Sequence, residues 1–157
     1  MIGKREITIS LIIFICGILI VLNIIFSPIK IFDYYCKTGG DNAIYSINTH
    51  GKENVNISYL YLYNKGVKIN HLLESEFFDK TQTNIFFNGV RLKKGDVAWF
   101  LYSDINFNDT IYNKLLSRNN FITGTELFLE TIKNPLLRNE FLDLYKTLSD
   151  REVSSYK

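Results

Sequence analysis

Three hydrophobic patterns follow one another along the chain. From Ile7 to Phe26 twenty residues carry no charge, and Thr8, Ser10 and Asn23 are the clearly polar ones among them. As a helix rising 1.5 Å per residue, such a run is roughly 30 Å long, the thickness of a bilayer's hydrocarbon core. It also lacks the polar stripe expected of a helix on a globular core. A cleaved signal peptide has a shorter apolar region ending in small residues. Here the two alanines are Ala43 and Ala98, far away, and Pro28 directly follows Ser27. Bulky Phe14 and Ile15 before Cys16, and Tyr34 and Tyr35 before Cys36, argue against a lipidation site. The pattern predicts a retained transmembrane helix over 7–27, a cytoplasmic stub over 1–6 and an exported domain over 28–157. Lys4 and Arg5 ahead of the apolar run, with Lys30 and Lys37 behind it, fit a single-pass layout with the tail outside the cytoplasm.

The second pattern is alternation. "AIYSINT" (43–49) and "VNISYLYLYN" (55–64) read as strands, the latter with Val55, Ile57, Tyr59, Tyr61 and Tyr63 on one side. Lys65-Gly66 then turns the chain into "VKINHLL" (67–73), a hairpin signal. In "TNIFFNGVRLKKGDVAWFLYS", Asn88-Gly89 is the preferred pair for a two-residue hairpin turn, because both central residues need positive φ. Lys94-Gly95-Asp96 leads into a further expected strand, "VAWFLY" (97–102), with Lys93 and Lys94 placed to blunt a sheet edge.

The third pattern is helical. Asn108 or Asp109 caps "TIYNKLLSR" (110–118), and Thr123 with Glu126 forms a capping box, although 121–129 also reads as a strand. Asn134-Pro135 opens a last helix in which Leu137, Phe141, Leu144 and Leu148 recur at spacings of four, three and four. The expected fold class is α+β: an antiparallel meander of five or six strands with C-terminal helices packed on one face.

Charge narrows the function classes. Beyond the stub, 16 basic and 15 acidic side chains are scattered without a basic run, so the chain offers no electrostatic footprint for direct nucleic-acid binding. Cys36 is the single cysteine outside the apolar run; it pairs with another chain or sits buried and inert. His50 and His71 have no partner at metal-ligand spacing. Glu74, Glu76 and Asp79 read as a solvated turn, and "KTGGD" (37–41) as a turn without a phosphate-holding helix. No G-x-S-x-G, P-loop, G-x-G-x-x-G or C-x-x-C occurs. No catalytic residue, metal or cofactor is therefore expected. "NIS" at Asn56 and "NDT" at Asn108 fit glycosylation acceptors, a pattern that arises often by chance. The candidate contact residues are Tyr59, Tyr61 and Tyr63, together with Cys36. The competing reading puts the tyrosine ladder in the sheet's own core. A curled sheet of this size could also enclose a small apolar ligand.

The basic stub "MIGKRE", the apolar run, the lone cysteine in "YYCKTGG", and "NIFFNGVRLKKGDVAWFLYSD" followed by "NDTIYNKLLS" carry a resemblance. In size and organisation the chain resembles the MyfF/PsaF-type accessory regulators of enterobacterial adhesin expression, with FidL-like and ToxS-like proteins as more distant analogues. The resemblance implies an inner-membrane protein whose periplasmic domain binds and stabilises a single-pass, ToxR-type transcriptional activator, permitting fimbrial gene expression. Alternatives of the same layout are a membrane-tethered immunity protein against a periplasmic toxin and a structural subunit of an envelope assembly.

Overall fold

A computed structural model describes residues 4–41, 44, 55–120 and 122–155. The architecture corrects the expected meander: among the described residues there are eight α-helices and three short strands. The first helix, α1 (Lys4–Ile25), covers most of the expected transmembrane segment. Among the described residues, however, no helix is long and apolar enough to cross a membrane. The expected span over 7–27 is corrected accordingly.

Ser27, with extended ψ of 140°, and Pro28 at the first helical position start α2 (Pro28–Thr38). Proline is pre-set for that position and lacks the N–H that would go unpaired there. Phe32, Tyr35 and Cys36, which share one side of this helix, are buried. Gly40 turns the chain with φ of +74° into β1 (Gly40–Asp41), which pairs in parallel with a later strand. The expected strand 43–49 lies outside the described residues, apart from buried Ile44, which is in no strand.

The stretch expected as the strand 55–64 is instead α3 (Ile57–Lys65). Asn56 caps it, its side chain accepting from the Ser58 N–H at 2.9 Å. Leu60 and Leu62 stand in the same alternating class as Asn56, Ser58 and Asn64, so the two-residue period did not cleanly separate a wet face from a dry one. On the helix, Tyr59 and Leu62 turn inward and Ile57 outward. Gly66, with φ of +58°, ends α3 and opens a 3-10 turn (Gly66–Ile69). The chain then continues as α4 (Asn70–Glu76), where the strand 67–73 was expected.

The Asn88-Gly89 hairpin is present, with φ of +48° and +76° at the two turn residues. It joins β2 (Gln82–Phe87) to β3 (Val90–Lys93), with Phe86 opposite Arg91 and Phe87 opposite Val90. The sheet order is β1-β2-β3. The expected strand 97–102 is α5 (Lys94–Ile105), the most buried element. Asp96 opens it by accepting from the Lys93 N–H at 2.7 Å. Three helices complete the chain: α6 (Asp109–Asn119), α7 (Gly124–Lys133) and α8 (Leu137–Ser155). Their starts follow the sequence signals. Asn108 accepts from Thr110 N–H at 2.9 Å, Thr123 and Glu126 close a capping box, and Asn134 accepts from Leu136 N–H at 3.3 Å. Phe141 on α8 is buried and Leu137 and Leu144 half-buried; the side chain of Leu148 lies outside the described residues.

The hydrophobic core is aromatic and centres on α5. Phe77 packs edge-on against Trp99 and Tyr102, at 5.6 and 5.2 Å between ring centroids, and Trp99 against Phe141 at 4.7 Å. Gly95 lets α5 start hard against the chain after α4. A Cβ there would lie 2.5 Å from the Phe77 carbonyl oxygen and 3.0 Å from that of Asp79.

Candidate functional site

The outward side of α5 forms one wall of a half-open cavity of about 490 Å³. Trp99, Phe100, Ser103 and Asp104, two pairs one helical turn apart, line it from α5. The hairpin contributes Phe86, Phe87 and Asn88, and Phe107 and Tyr112 come from the α5–α6 corner and α6. Leu127 and Phe128 of α7 and Phe141 of α8 close the remaining side. The rings stand steeply to one another: Phe128 meets Phe87 at 5.0 Å and 90°, and Phe100 at 5.0 Å and 75°. Asp104 is the charged side chain among these lining residues, and it is only 4 % exposed. Its Oδ2 accepts a hydrogen bond from the Tyr59 hydroxyl at 2.8 Å. Burial, reinforced by the charge of Asp104 and this hydrogen bond, holds the Tyr59 phenol well above its ordinary pKa. Burial likewise raises Tyr112. Ser103 donates its hydroxyl to the Trp99 carbonyl at 2.9 Å, and no histidine stands among the described lining residues. The Ser103 hydroxyl is thus engaged by a backbone carbonyl rather than by a base among the described lining residues.

The sequence-predicted contact residues are not brought together. Successive helical residues are about 100° apart, so Tyr59 and Tyr63 share a side of α3 and Tyr61 does not. Tyr59 is fully buried and stacks edge-on with Tyr35 at 5.9 Å. Tyr63 is half-buried beside the core. Tyr61 lies at the bend between α1 and α2, where its hydroxyl donates to the Phe26 carbonyl at 2.6 Å and Lys65 sits 4.6 Å above its ring. A shallower hollow of about 330 Å³ opens there. Cys36 is buried; desolvation pushes its thiol up to about 12, with nearby Lys94 opposing the shift. It is inert rather than a surface contact. His50 falls outside the described residues and His71 is exposed on α4.

Two ionic groups depart from the sequence expectations. Lys94 does not guard a sheet edge. Its ammonium reaches Asp33 at 2.8 Å, Glu76 at 3.0 Å and Asp79 at 3.8 Å, with 16 % of the side chain exposed. Burial opposes its charge, but the hydrogen bonds it donates to Asp33 and Glu76 prevail and raise its pKa. Two acidic residues expected in a solvated turn are therefore ligands of a half-buried cation. Deeper in, Arg138 of α8 pairs with Asp96 of α5, donates to the Phe77 carbonyl and reaches the Thr131 carbonyl at 3.0 Å. No local signal marked Asp96 and Arg138, which lie 42 residues apart. The cavity wall did leave a trace: Trp99, Phe100, Ser103 and Asp104 share a face once "VAWFLYSDI" is read with a helical period.

Among the described residues no group of three or more His, Cys, Asp or Glu is arranged to hold a metal ion. Comparison of the chain with known protein families, curated proteins and solved structures gives no match.

Proposed function

We propose that the protein is a non-enzymatic accessory protein of the bacterial inner membrane that binds and stabilises a single-pass, ToxR-type transcriptional activator, with its folded body on the periplasmic side. The observation that carries this reading is the surface of α1, whose large apolar side chains between Leu11 and Leu22 are 43–66 % exposed. An apolar surface of that extent marks a place where another molecule or a lipid phase is met. The sequence resemblance supplies the kind of partner. Stabilisation is then a linkage effect: a chain that binds only the folded activator shifts its equilibrium, and confinement to one membrane raises the effective concentration of each for the other.

The test is photocrosslinking in cells from Ile13 or Tyr34, both exposed. The expected product contains a single-pass membrane activator, and deleting the gene lowers both that activator and adhesin transcripts. Crosslinks that return no membrane activator, with transcripts unchanged by the deletion, would refute the proposal.

A further inference from the structure

We infer that the hollow at the bend between α1 and α2 binds the headgroup of an anionic phospholipid, with the phosphate on Lys65 and the acyl chains along α1. The hollow, of about 330 Å³, is lined by Leu19, Leu22 and Phe26 together with Ser27, Tyr61 and Lys65. Its apolar wall continues along α1. Ile12, Ile15, Leu19, Leu22 and Phe26 recur at spacings of three, four, three and four, and all five are exposed. At the bend the lining turns polar. Lys65 ends α3, and its ammonium stands 4.6 Å over the Tyr61 ring, whose face attracts it. The ring is itself fixed by the bond from the Tyr61 hydroxyl to the Phe26 carbonyl at 2.6 Å. Ser27 starts α2 without its hydroxyl capping a backbone N–H. A cation and a hydroxyl thus stand at the end of an apolar stripe, the division that an amphiphile carries in its own structure.

Charge selects the kind of lipid. Among the described residues no carboxylate pairs with Lys65, and the sequence from Ile7 to Ile29 carries no charge. Helices α2 and α3 together hold Lys30, Lys37 and Lys65 against one acid, Asp33, whose carboxylate is taken by Lys94 at 2.8 Å. A phosphate gives the Lys65 ammonium a charge-assisted partner. A zwitterionic headgroup brings its own ammonium into the same space and gains less. A free phosphate suits the cation but leaves the apolar stripe in water, so it lacks the larger share of the binding energy. An anionic lipid satisfies both parts of the site.

The inference rests on the membrane part of the proposed function and not on the activator. Its test uses the purified chain and defined lipids, so its failure leaves the crosslinking outcome unaffected. The full-length chain in a maltoside detergent is mixed with dioctanoyl phosphatidylglycerol, dioctanoyl phosphatidylcholine or glycerol 3-phosphate, and native mass spectrometry counts the bound fraction. The anionic lipid is expected to bind about fivefold better than the zwitterionic one, the worth of one lysine beside an anionic headgroup. Glycerol 3-phosphate is expected to fall about tenfold or more below the anionic lipid. Lys65→Gln should bring the two lipids together, whereas Lys68→Gln, at an exposed lysine outside the hollow, should leave the preference intact. Equal binding of the two lipids by the unaltered chain overturns the inference and leaves the stripe to a protein partner. Binding of glycerol 3-phosphate as tight as that of the anionic lipid overturns it as well, since the site would then be one for free anions. A preference that survives in Lys65→Gln, or falls equally in both variants, also overturns it. The lipid series on the unaltered chain decides the matter even where a variant fails to fold.

Discussion

Replacing Arg138 by Met tests the physical account of the fold most directly. Arg138 is only 1 % exposed, and its guanidinium ties three elements to α8: the end of α4 through the Phe77 carbonyl, the start of α5 through Asp96, and α7 through the Thr131 carbonyl. Burial pulls its pKa below the ordinary value while Asp96 pulls the other way, the signature of a charge kept inside by its partner. Among the described residues its Nε makes no hydrogen bond, so the pair is not an ideally satisfied one. Methionine keeps most of the packing volume and removes the charge. Asp96, 2 % exposed, then stays buried without its counter-ion, which costs about 3–5 kcal/mol. That is a large part of the roughly 5–15 kcal/mol by which domains are commonly stable.

The partner substitution separates charge from shape. In Asp96→Asn with Arg138→Met, the buried charge is gone and the new side-chain amide oxygen can still accept from the Lys93 N–H, leaving two carbonyls without their donor. The double variant should therefore be no less stable than Arg138→Met alone, with a coupling of about 2 kcal/mol or more. Urea unfolding followed by Trp99 emission measures both, since Trp99 packs on Phe141, about one turn along α8 from Arg138. A loss below about 1 kcal/mol for the single variant, or strict additivity in the double, would refute the reasoning.

Gly95→Ala should destabilise by about 1–3 kcal/mol, because its Cβ would meet two backbone carbonyls, Phe77 at 2.5 Å and Asp79 at 3.0 Å, that cannot swing aside; an unchanged urea midpoint would show that α5 is free to shift. Thr123→Ala removes the acceptor for the Glu126 N–H at 3.2 Å and should lower stability by about 0.5–2 kcal/mol, while Thr123→Asp should largely restore it; equal stability of all three chains would count against the cap. Stability should also fall at alkaline pH. Burial raises the Cys36 thiol from 9.0 to about 12, so the folded chain holds a proton that the unfolded chain releases above pH 9. The contribution is intact below pH 9 and declines by about 1.4 kcal/mol per pH unit toward pH 12, in the same direction as the raised phenols of Tyr35 and Tyr59. Cys36→Ala should flatten that slope relative to the unaltered chain, and parallel slopes between about pH 9 and 11 would exclude the assignment. Cys36 itself should react with iodoacetamide only once urea unfolds the chain, whereas rapid labelling of the native protein at Cys36 would contradict its burial.

Elements whose identity depends on a few local hydrogen bonds could be read from the sequence. Asn88-Gly89 requires two positive φ values that few other pairs tolerate, and the turn sits there. Asn108, Thr123 with Glu126, and Asn134 each satisfy N–H groups that a helix start leaves open, and a helix follows each. The strings at Asn56 and Asn108 that resemble glycosylation acceptors are the same caps. Ser27-Pro28 carries an equally local signal for α2, since proline suits the first helical position, and the long apolar run before it masks that signal. The runs 55–64 and 97–102 behaved differently, since aromatic and aliphatic residues occupy both alternating classes. Leu60 and Leu62 stand opposite Tyr59, Tyr61 and Tyr63, and Ala98 and Phe100 opposite Val97, Trp99 and Leu101. The wet side is marked only by Asn56, Ser58 and Asn64 in the first run and by no polar residue in the second, so β-propensity favours strands there, and tertiary burial overrides it.

The same override places the candidate site. Once 94–105 is a helix, Asp96 in its first turn and Asp104 in its last lie about 12 Å apart along the axis and acquire different surroundings. Asp96 meets Arg138, and the pair fastens α5 to its neighbours. Asp104 meets a tyrosine hydroxyl and aromatic rings, and the cavity it lines holds no Lys or Arg among its described residues. A buried carboxylate neutralised by arginine explains packing and asks for nothing further. Asp104, accepting from the Tyr59 hydroxyl, instead ties α5 to α3 at the wall of the aromatic cavity. Two aspartates on one helix thus fasten it to different neighbours, Asp96 to α8 and Asp104 to α3, and the division follows from what faces each of them.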